Sequence, residues 1–478
     1  MKKSFCFLLL FSFLFTAFSV QAQQLISSQY LGHRTQNYLQ NTFTPLIQNA
    51  VDLYRITYET LDIHGALDTA SGLVVIPVRN TSFAYPLLCY QHGTVDGPND
   101  VPSHLSGGAE LAIVFGGMGY VTAAPDYLGL GEARGFHPYV HAKSEASAAI
   151  DMLFAVRQMA EESDDIFIND QLFISGYSQG GHAAAAVQKE IEEFYSDDFT
   201  VTASAPMSGP YNISETMTPF IVNESVYYYP GYVAYTMLSY NLASNLGYEI
   251  SDLFKAPYVP AITQFYNGEI VLSTLQSNLI SLLTSNEGAS IPKFMVQDSI
   301  LDQITTQPDH PLNQALREND VFDWTPQAPT RLFYCTADDQ VLYLNSVVAD
   351  SVMNANGALD VMAVDVDPTA DHGGCVSPAM IQTLLFFLSY QELTVDNEEV
   401  LFNENLTLTP NPAEGYVNVE NIPDGALVEI FDIKGRLQMQ FESESNHPEV
   451  DLSGLVPGIY LFKVTKGPQR FISKLVKK

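Results

Sequence analysis

The stretch Leu172-Phe173-Ile174-Ser175-Gly176-Tyr177-Ser178-Gln179-Gly180-Gly181-His182 decides how this chain folds. Apolar residues of strand character run into Gly-Tyr-Ser-Gln-Gly, and a helical run from Ala183 to Phe194 follows at once. A serine placed between strand and helix, with glycines two residues to either side, sits on a tight and strained turn. Larger side chains at 176 and 180 would collide there with the neighbouring strand and helix. The helix N-terminus then directs backbone N–H groups at negative charge developing beside the serine. A bare G-x-S-x-G is weak, because glycine and serine are common. Strand before and helix after are the context that separates it from a plain Gly-rich connection.

Outward from this point, strands and helices alternate. Ser71 to Val78, Tyr85 to Gln91, Tyr120 to Pro125 and Phe199 to Pro206 read as strands. Glu145 to Ala160 reads as a helix, with Ile150, Leu153, Phe154, Val156 and Met159 near one face. The pattern resumes with strands at Leu332 to Cys335 and Asp360 to Val366 and a closing helix from Ala379 to Tyr390. Such alternation predicts an α/β fold, a mainly parallel sheet covered on both faces with its site at the carboxyl ends of the strands. Residues 23 to about 60 read as mixed and partly helical, without a motif. Between Pro210 and Thr330 the alternation stops. A structureless loop of that length is implausible, so a mostly helical cap is expected over about 211–328. Its tyrosines, including Tyr227, Tyr228, Tyr229 and Tyr232, either line a pocket or form the cap's own core.

At 478 residues, 46% of them hydrophobic, the chain exceeds one ordinary domain. Its 54 acidic against 21 basic residues give a net charge of −33, a field that repels phosphate backbones and excludes nucleic-acid binding. Met1-Lys2-Lys3, the apolar run Phe5 to Phe18 and the small residues near Ala22 read as a signal peptide over 1–22, too short to span a membrane. No later segment is long and apolar enough to span one, so an exported protein without a transmembrane anchor is expected. Leu406 to Lys478 shows short alternating runs divided by Pro410-Asn411-Pro412, Pro423-Asp424-Gly425, Lys434-Gly435 and Pro457-Gly458, the pattern of a small all-β, immunoglobulin-like sandwich. The expected organisation is therefore an α/β body with its cap over 23–393, an acidic linker over 394–403 and a β module over 404–478.

A serine nucleophile needs a base, and the base needs an acid to hold its tautomer. On a sheet with this kind of elbow both follow the serine in sequence. His182 lies four residues along the elbow helix and rises away from the serine; His310 falls in the cap and His447 in the β module. His372, in the Gly-rich loop Asp371-His372-Gly373-Gly374 after a strand, is the predicted base. Asp338 and Asp339 both follow the strand ending near Cys335, and either is placed to be the acid; the other would be an exposed loop carboxylate. Backbone N–H groups of Gln179 and of Thr94 or its neighbour are the candidate oxyanion donors. His92 reads as a loop brace with no proton to transfer. Cys335 and Cys375 each stand three residues from one of these candidates, so convergence would bring the sulfurs within bonding reach in an oxidising compartment; two free buried thiols are the alternative. No metal or organic cofactor is implied, water being the second substrate.

Gln91-His92-Gly93-Thr94, Pro125-Asp126-Tyr127-Leu128-Gly129-Leu130-Gly131, His137-Pro138-Tyr139 and Gly176-Tyr177-Ser178-Gln179-Gly180-Gly181 resemble the secretory lipase family of the α/β-hydrolases. The resemblance spans about residues 50 to 390. It implies the α/β-hydrolase fold and a Ser178-Asp338-His372 triad hydrolysing carboxylic esters through an acyl-enzyme. In relatives the acid stands three residues before a Val, as Asp338 does before Val341; the usual Gly three residues before the acid is Cys335 here. A serine peptidase on the same fold and a non-catalytic surface binding protein are the rivals. Pro410-Asn411-Pro412-Ala413, Phe431-Asp432-Ile433-Lys434-Gly435-Arg436 and Leu452 to Tyr460, before a basic tail, are similar to type A sorting domains of type IX (Por) secretion. This implies export through the periplasm, recognition by outer-membrane secretion machinery and a secreted or cell-surface location. A carbohydrate-binding or adhesion sandwich is the structural rival for this module.

Overall fold

The structure, a computed structural model, describes residues 24–79, 83–395 and 406–478, apart from 421, 434, 444, 467 and 468. The expected signal peptide and nearly all of the expected linker lie outside the described residues. Nine strands form the continuous path of a ten-stranded sheet: β1 (Leu25–Arg34), β2 (Ala50–Leu61), β3 (Leu67–Val78), β4 (Phe83–Gln91), β5 (Val121–Pro125), β6 (Ile168–Tyr177), β7 (Val201–Met207), β8 (Thr330–Tyr334) and β9 (Val361–Asp365). Their order is β1-β2-β3-β5-β4-β6-β7-β8-β9, and a short β10 (Thr394–Val395) pairs with β4. From β5 to β9 all neighbours run parallel, while β1, β2 and β3 form an antiparallel meander that joins β5. This is the α/β-hydrolase fold.

The alternation of side chains along a strand distributes the core to two faces. On β6, Leu172 and Ile174 pack against the helices Ala142–Glu161 and Gln179–Phe194, while Phe173 and Tyr177 face the helices Ala109–Gly117 and His372–Leu388. Both faces are thus covered, which is why the central strands read as nearly continuous apolar runs. The N-terminal segment is mixed as read, but mostly strand. Residues 25–61 hold two strands and only one short helix, Gln36–Thr42. Strand β1 is largely exposed and carries no apolar alternation, and in β2 the buried series Val51, Leu53, Ile56, Tyr58 slips by one residue at Tyr54-Arg55.

Between β7 and β8 the chain is helical, including Pro230–Ala243, Val259–Tyr266, Leu272–Glu287, Asp298–Thr306 and Pro311–Glu318. Leu275, Leu279 and Leu283, one helical turn apart, build a separate core with Phe254 and Ile262, and Tyr139 and Val140 of the body reach into it. The C-terminal strands form a three-stranded sheet, β11-β12-β15 (Thr407–Thr409, Tyr416–Glu420, Glu449–Asp451), and a four-stranded one, β14-β13-β16-β17 (Leu437–Glu442, Leu427–Asp432, Gly458–Lys466, Gln469–Lys477). Val417, Val428, Ile430 and Phe462 belong to their common core. Among the described residues no helix is long and apolar enough to cross a membrane.

The turn after β6 is where backbones crowd most. Ser178 adopts φ 62°, ψ −121°. A Cβ on Gly176 would stand 2.1 Å from the Gly180 carbonyl oxygen, and one on Gly180 would stand 2.0 Å from that of Gln91. The obstructing atoms are backbone and cannot rotate away. Gly180→Ala is therefore expected to destabilise the protein by at least the ~1–3 kcal/mol of an overpacked core. The check is calorimetry, where Tm should fall by several degrees and an unchanged Tm would show that the turn yields.

Candidate active site

The strained turn lifts the Ser178 hydroxyl above the carboxyl end of the sheet, where two further chain segments meet it. Ser178 Oγ lies 2.8 Å from His372 Nε2, and His372 Nδ1 lies 2.6 Å from Asp338 Oδ2. The second Asp338 oxygen accepts the backbone N–H groups of Gln340 and Val341, both at 2.9 Å. This fixes the carboxylate, whose side chain is 2% exposed. With Nδ1 facing a carboxylate, the ring proton resides there and Nε2 is left to accept from the serine.

His372 does not sit in a loop. It is the first residue of the helix His372–Leu388, and Asp371 caps that helix by accepting the Gly374 N–H at 2.7 Å. Gly373, Gly374 and Pro378 disguise the helix in the sequence. Asp339 is exposed, as expected of the alternative carboxylate, yet it is also engaged: it accepts the backbone N–H of His372 at 3.1 Å and the Tyr229 hydroxyl at 3.0 Å. Asp338 thus meets the imidazole and Asp339 the backbone of one residue. Tyr177 adds a third hold, its hydroxyl donating to the His372 carbonyl at 2.6 Å. The sequence offered no sign of the Tyr177 contact, since any residue fits between Gly176 and Ser178 in the motif.

Cys335 and Cys375 form a disulfide, closing the alternative of two free thiols. It fastens the end of β8, where the acid loop begins, to the first turn of the His372 helix. Cys89 is free and buried, and burial pushes its thiol up to about 12, so it is an inert core residue.

Gln179 is the first residue of the elbow helix, and its backbone N–H, like that of Thr94, meets no acceptor among the described residues. The end of β4 approaches the elbow closely: a Cβ on Gly93 would stand 3.1 Å from the Tyr177 carbonyl oxygen and 3.8 Å from Ser178 Cβ. The Thr94 hydroxyl shares a hydrogen bond with Tyr139 at 2.8 Å. His92 is buried, its Nδ1 donating to the Gly93 carbonyl at 2.7 Å and its ring 4.2 Å from that of Tyr127, so it braces this segment. Burial holds it below the ordinary histidine value. His182 points away from the serine to Glu145, His310 caps the helix Pro311–Glu318 and His447 is exposed in the β module.

Comparison with known proteins agrees with this architecture. Residues 407–478 match the secretion system C-terminal sorting domain, which marks type IX export to the cell surface or outside. No curated protein matches the chain by sequence. Among solved structures, the rice cell wall degrading esterase LipA from Xanthomonas oryzae is similar at 27% identity and TM-score 0.66, covering 76% of this chain and 95% of that one. A protein from Legionella pneumophila described as a hydrolase is similar at 27% identity and TM-score 0.68, covering 77% and 98%. Candida antarctica lipase A, at 16% identity and TM-score 0.57 over 76% and 81%, shares the fold.

Two predictions follow from the geometry around His372. Asp338→Asn is expected to lower turnover by about 10³- to 10⁴-fold through the wrong imidazole tautomer. Asp339→Asn, which touches only backbone and Tyr229, should cost less than about tenfold; equal losses would contradict this assignment of the two carboxylates. Separately, the disulfide closes a loop with sequence separation 40, for which chain entropy predicts about 4 kcal/mol. The Cys335→Ser, Cys375→Ser double variant should unfold correspondingly earlier in denaturant.

Proposed function

We propose that the chain is a secreted serine carboxylic-ester hydrolase, a lipase or esterase, acting through Ser178, His372 and Asp338 and an acyl-enzyme. The observation that carries this reading is the unbroken relay of hydrogen bonds, 2.8 Å from Ser178 to His372 and 2.6 Å from His372 to Asp338, at a serine with φ 62°. Likeness to an esterase structure at 27% identity supports the reaction class.

Ser178 Oγ attacks the ester carbonyl while its proton passes to His372 Nε2. Asp338 keeps Nδ1–H on its own side of the ring and stabilises the imidazolium that forms. Charge on the former carbonyl oxygen is met by the N–H groups of Gln179 and Thr94, each such donor contributing about 10²–10³ in rate. Collapse breaks the ester C–O bond, and the alcohol leaves with the proton from Nε2. Water then attacks the acyl-serine, gives its proton to His372 and releases the acid, restoring Ser178.

The acyl side has a place to go. A mostly apolar cavity of about 870 Å³, counted with its mouth, lies between body and cap, lined by Tyr139, Ile213, Ile221, Val233, Leu301 and Val341 among others. Two of its lining residues touch site residues: the Val341 N–H donates to Asp338, and the Tyr139 hydroxyl shares a hydrogen bond with that of Thr94. Of the cap tyrosines, Tyr227 and Tyr232 line it, while Tyr228 and Tyr229 edge a more open neighbouring cleft. The sorting domain supplies the partner, outer-membrane secretion machinery.

Ser178→Ala is expected to abolish hydrolysis of p-nitrophenyl esters with the fold retained, and a fluorophosphonate should label the native protein but not the variant. Activity surviving in Ser178→Ala ends the mechanism; aminoacyl amides turned over faster than esters would instead favour a peptidase. In a series from acetate upward, kcat/KM should rise by up to about fourfold per methylene that enters the cavity (~0.8 kcal/mol each).

A further inference from the structure

Behind the elbow lies a polar cluster that the relay does not use. Glu145, on the helix Ala142–Glu161, is buried with His182, and both side chains are 0% exposed. His182 Nδ1 lies 2.7 Å from Glu145 Oε2 and its Nε2 lies 2.8 Å from the Asn319 carbonyl oxygen. With Glu145 ionised, both partners are acceptors only, so both ring nitrogens carry hydrogen and the ring is an imidazolium paired with a carboxylate. The other Glu145 oxygen accepts from Gln179 Nε2 at 2.9 Å. That same amide nitrogen lies 2.8 Å from His137 Nε2, while His137 Nδ1 lies 2.7 Å from the Leu128 carbonyl. His137 must then carry its hydrogen on Nδ1 and accept at Nε2, and it is neutral: burial holds it down at about 4. Both amide hydrogens of Gln179 are therefore spoken for, and its orientation is fixed by the chemistry of its neighbours.

We propose that Glu145 and His182 are positioning residues: a buried charged pair that holds Gln179, and with it one oxyanion donor, while fastening the end of the cap to the elbow. The proposal rests on the serine-hydrolase reading above. The side chain of Gln179 leaves the same residue whose N–H faces the reacting carbonyl, so fixing one restricts the other. Asn319 follows the last cap helix, and its side-chain oxygen also accepts the Ala142 N–H at 2.8 Å, at the start of the helix that carries Glu145. Three segments far apart in sequence meet at one ion pair. Isolated charges so deeply buried are costly; here each has its counter-charge and further hydrogen bonds.

The groups facing His182 are Glu145, Asp320 and His141, with His137 and His92 beyond Glu145. Burial works against its charge, but Glu145, the Asn319 carbonyl and Asp320 outweigh it and raise the imidazole above its ordinary value. A raised value means the pair is intact below histidine's ordinary ~6.5 and fails only as pH rises through the folded-state value. Turnover should therefore show an alkaline limb that belongs to His182.

The experiment compares Glu145→Ala, His182→Ala and Glu145→Gln with the native protein on a soluble p-nitrophenyl ester, across pH, with Tm measured for each. The alanine variants are expected to lose about tenfold to a hundredfold in kcat, short of deleting an oxyanion donor outright, with KM held within about twofold. In Glu145→Gln the new amide can donate to Nδ1 of a neutral His182 and still accept from Gln179. It should recover most of the lost kcat and remove the alkaline limb. A merely structural role would lower Tm while leaving kcat and the limb of the folded variants as they are, and that result overturns the proposal. If the alanine variants do not fold, the Glu145→Gln pH profile decides alone, and an unchanged alkaline limb there is fatal. Failure of the native protein to react with fluorophosphonate would instead strike the hydrolase reading.

Discussion

The backbone conformation of Ser178 is the constraint on which the rest depends. A non-glycine residue at φ 62° carries about 1–3 kcal/mol of strain and persists only where its surroundings over-determine it. Here they do. The Ser178 N–H donates to the Met207 carbonyl at 2.9 Å, and its own carbonyl accepts from Gly181 at 2.8 Å. Sheet register sets Gly176 beside Gln91 on one side and Pro206 on the other. The ends of β4, β6 and β7 and the start of the elbow helix are pressed together so closely that Gly176 and Gly180 admit no side chain. Straightening the serine would require moving four backbones at once.

That crowding explains why polar residues gather at this end of the sheet. The strand interiors alternate between two apolar cores, while buried His92, Asp126, His137, Glu145, Gln179 and His182 lie around the strand ends. Backbones that diverge from the sheet leave carbonyl and N–H groups without ladder partners, and side chains must satisfy them. Asp126 is typical: it accepts from the Ser71 hydroxyl at 2.6 Å and the Ser103 N–H at 2.9 Å. The same surplus leaves the Gln179 and Thr94 N–H groups without an acceptor among the described residues.

Much of this was legible in the sequence. The elbow, the parallel strands and the helical cap follow from hydrophobic periodicity and turn residues, and elimination by chain order singled out the histidine that the structure brings to Ser178. What escaped has physical causes. The period of β2 slips by one residue and β1 is an exposed edge strand, so neither shows a clean alternation. The helix that carries His372 opens with two glycines and holds a proline, so propensity argued against it. Glu145 entered the sequence reading only as the start of an amphipathic helix. Its burial depends on His182 and Gln179, which arrive from another element, and no local pattern encodes that meeting. The pairing of Cys335 with Cys375 was equally open until the end of β8 and the His372 helix were placed.

The two contacts that join Ser178 to His372 and His372 to Asp338 span 194 and 34 residues of chain. They draw on the turn after β6, the loop after β8 and the helix that follows β9, and β9 has one partner among the described strands. Contacts so distant in sequence exist only where the sheet that carries them is assembled, and closing them carries a loop-entropy cost. An unfinished or partly opened chain therefore holds Ser178 apart from His372. The assembled site is in this sense a property of the completed sheet as far as its β9 end, where the Cys335–Cys375 bridge ties the His372 helix back to the end of β8.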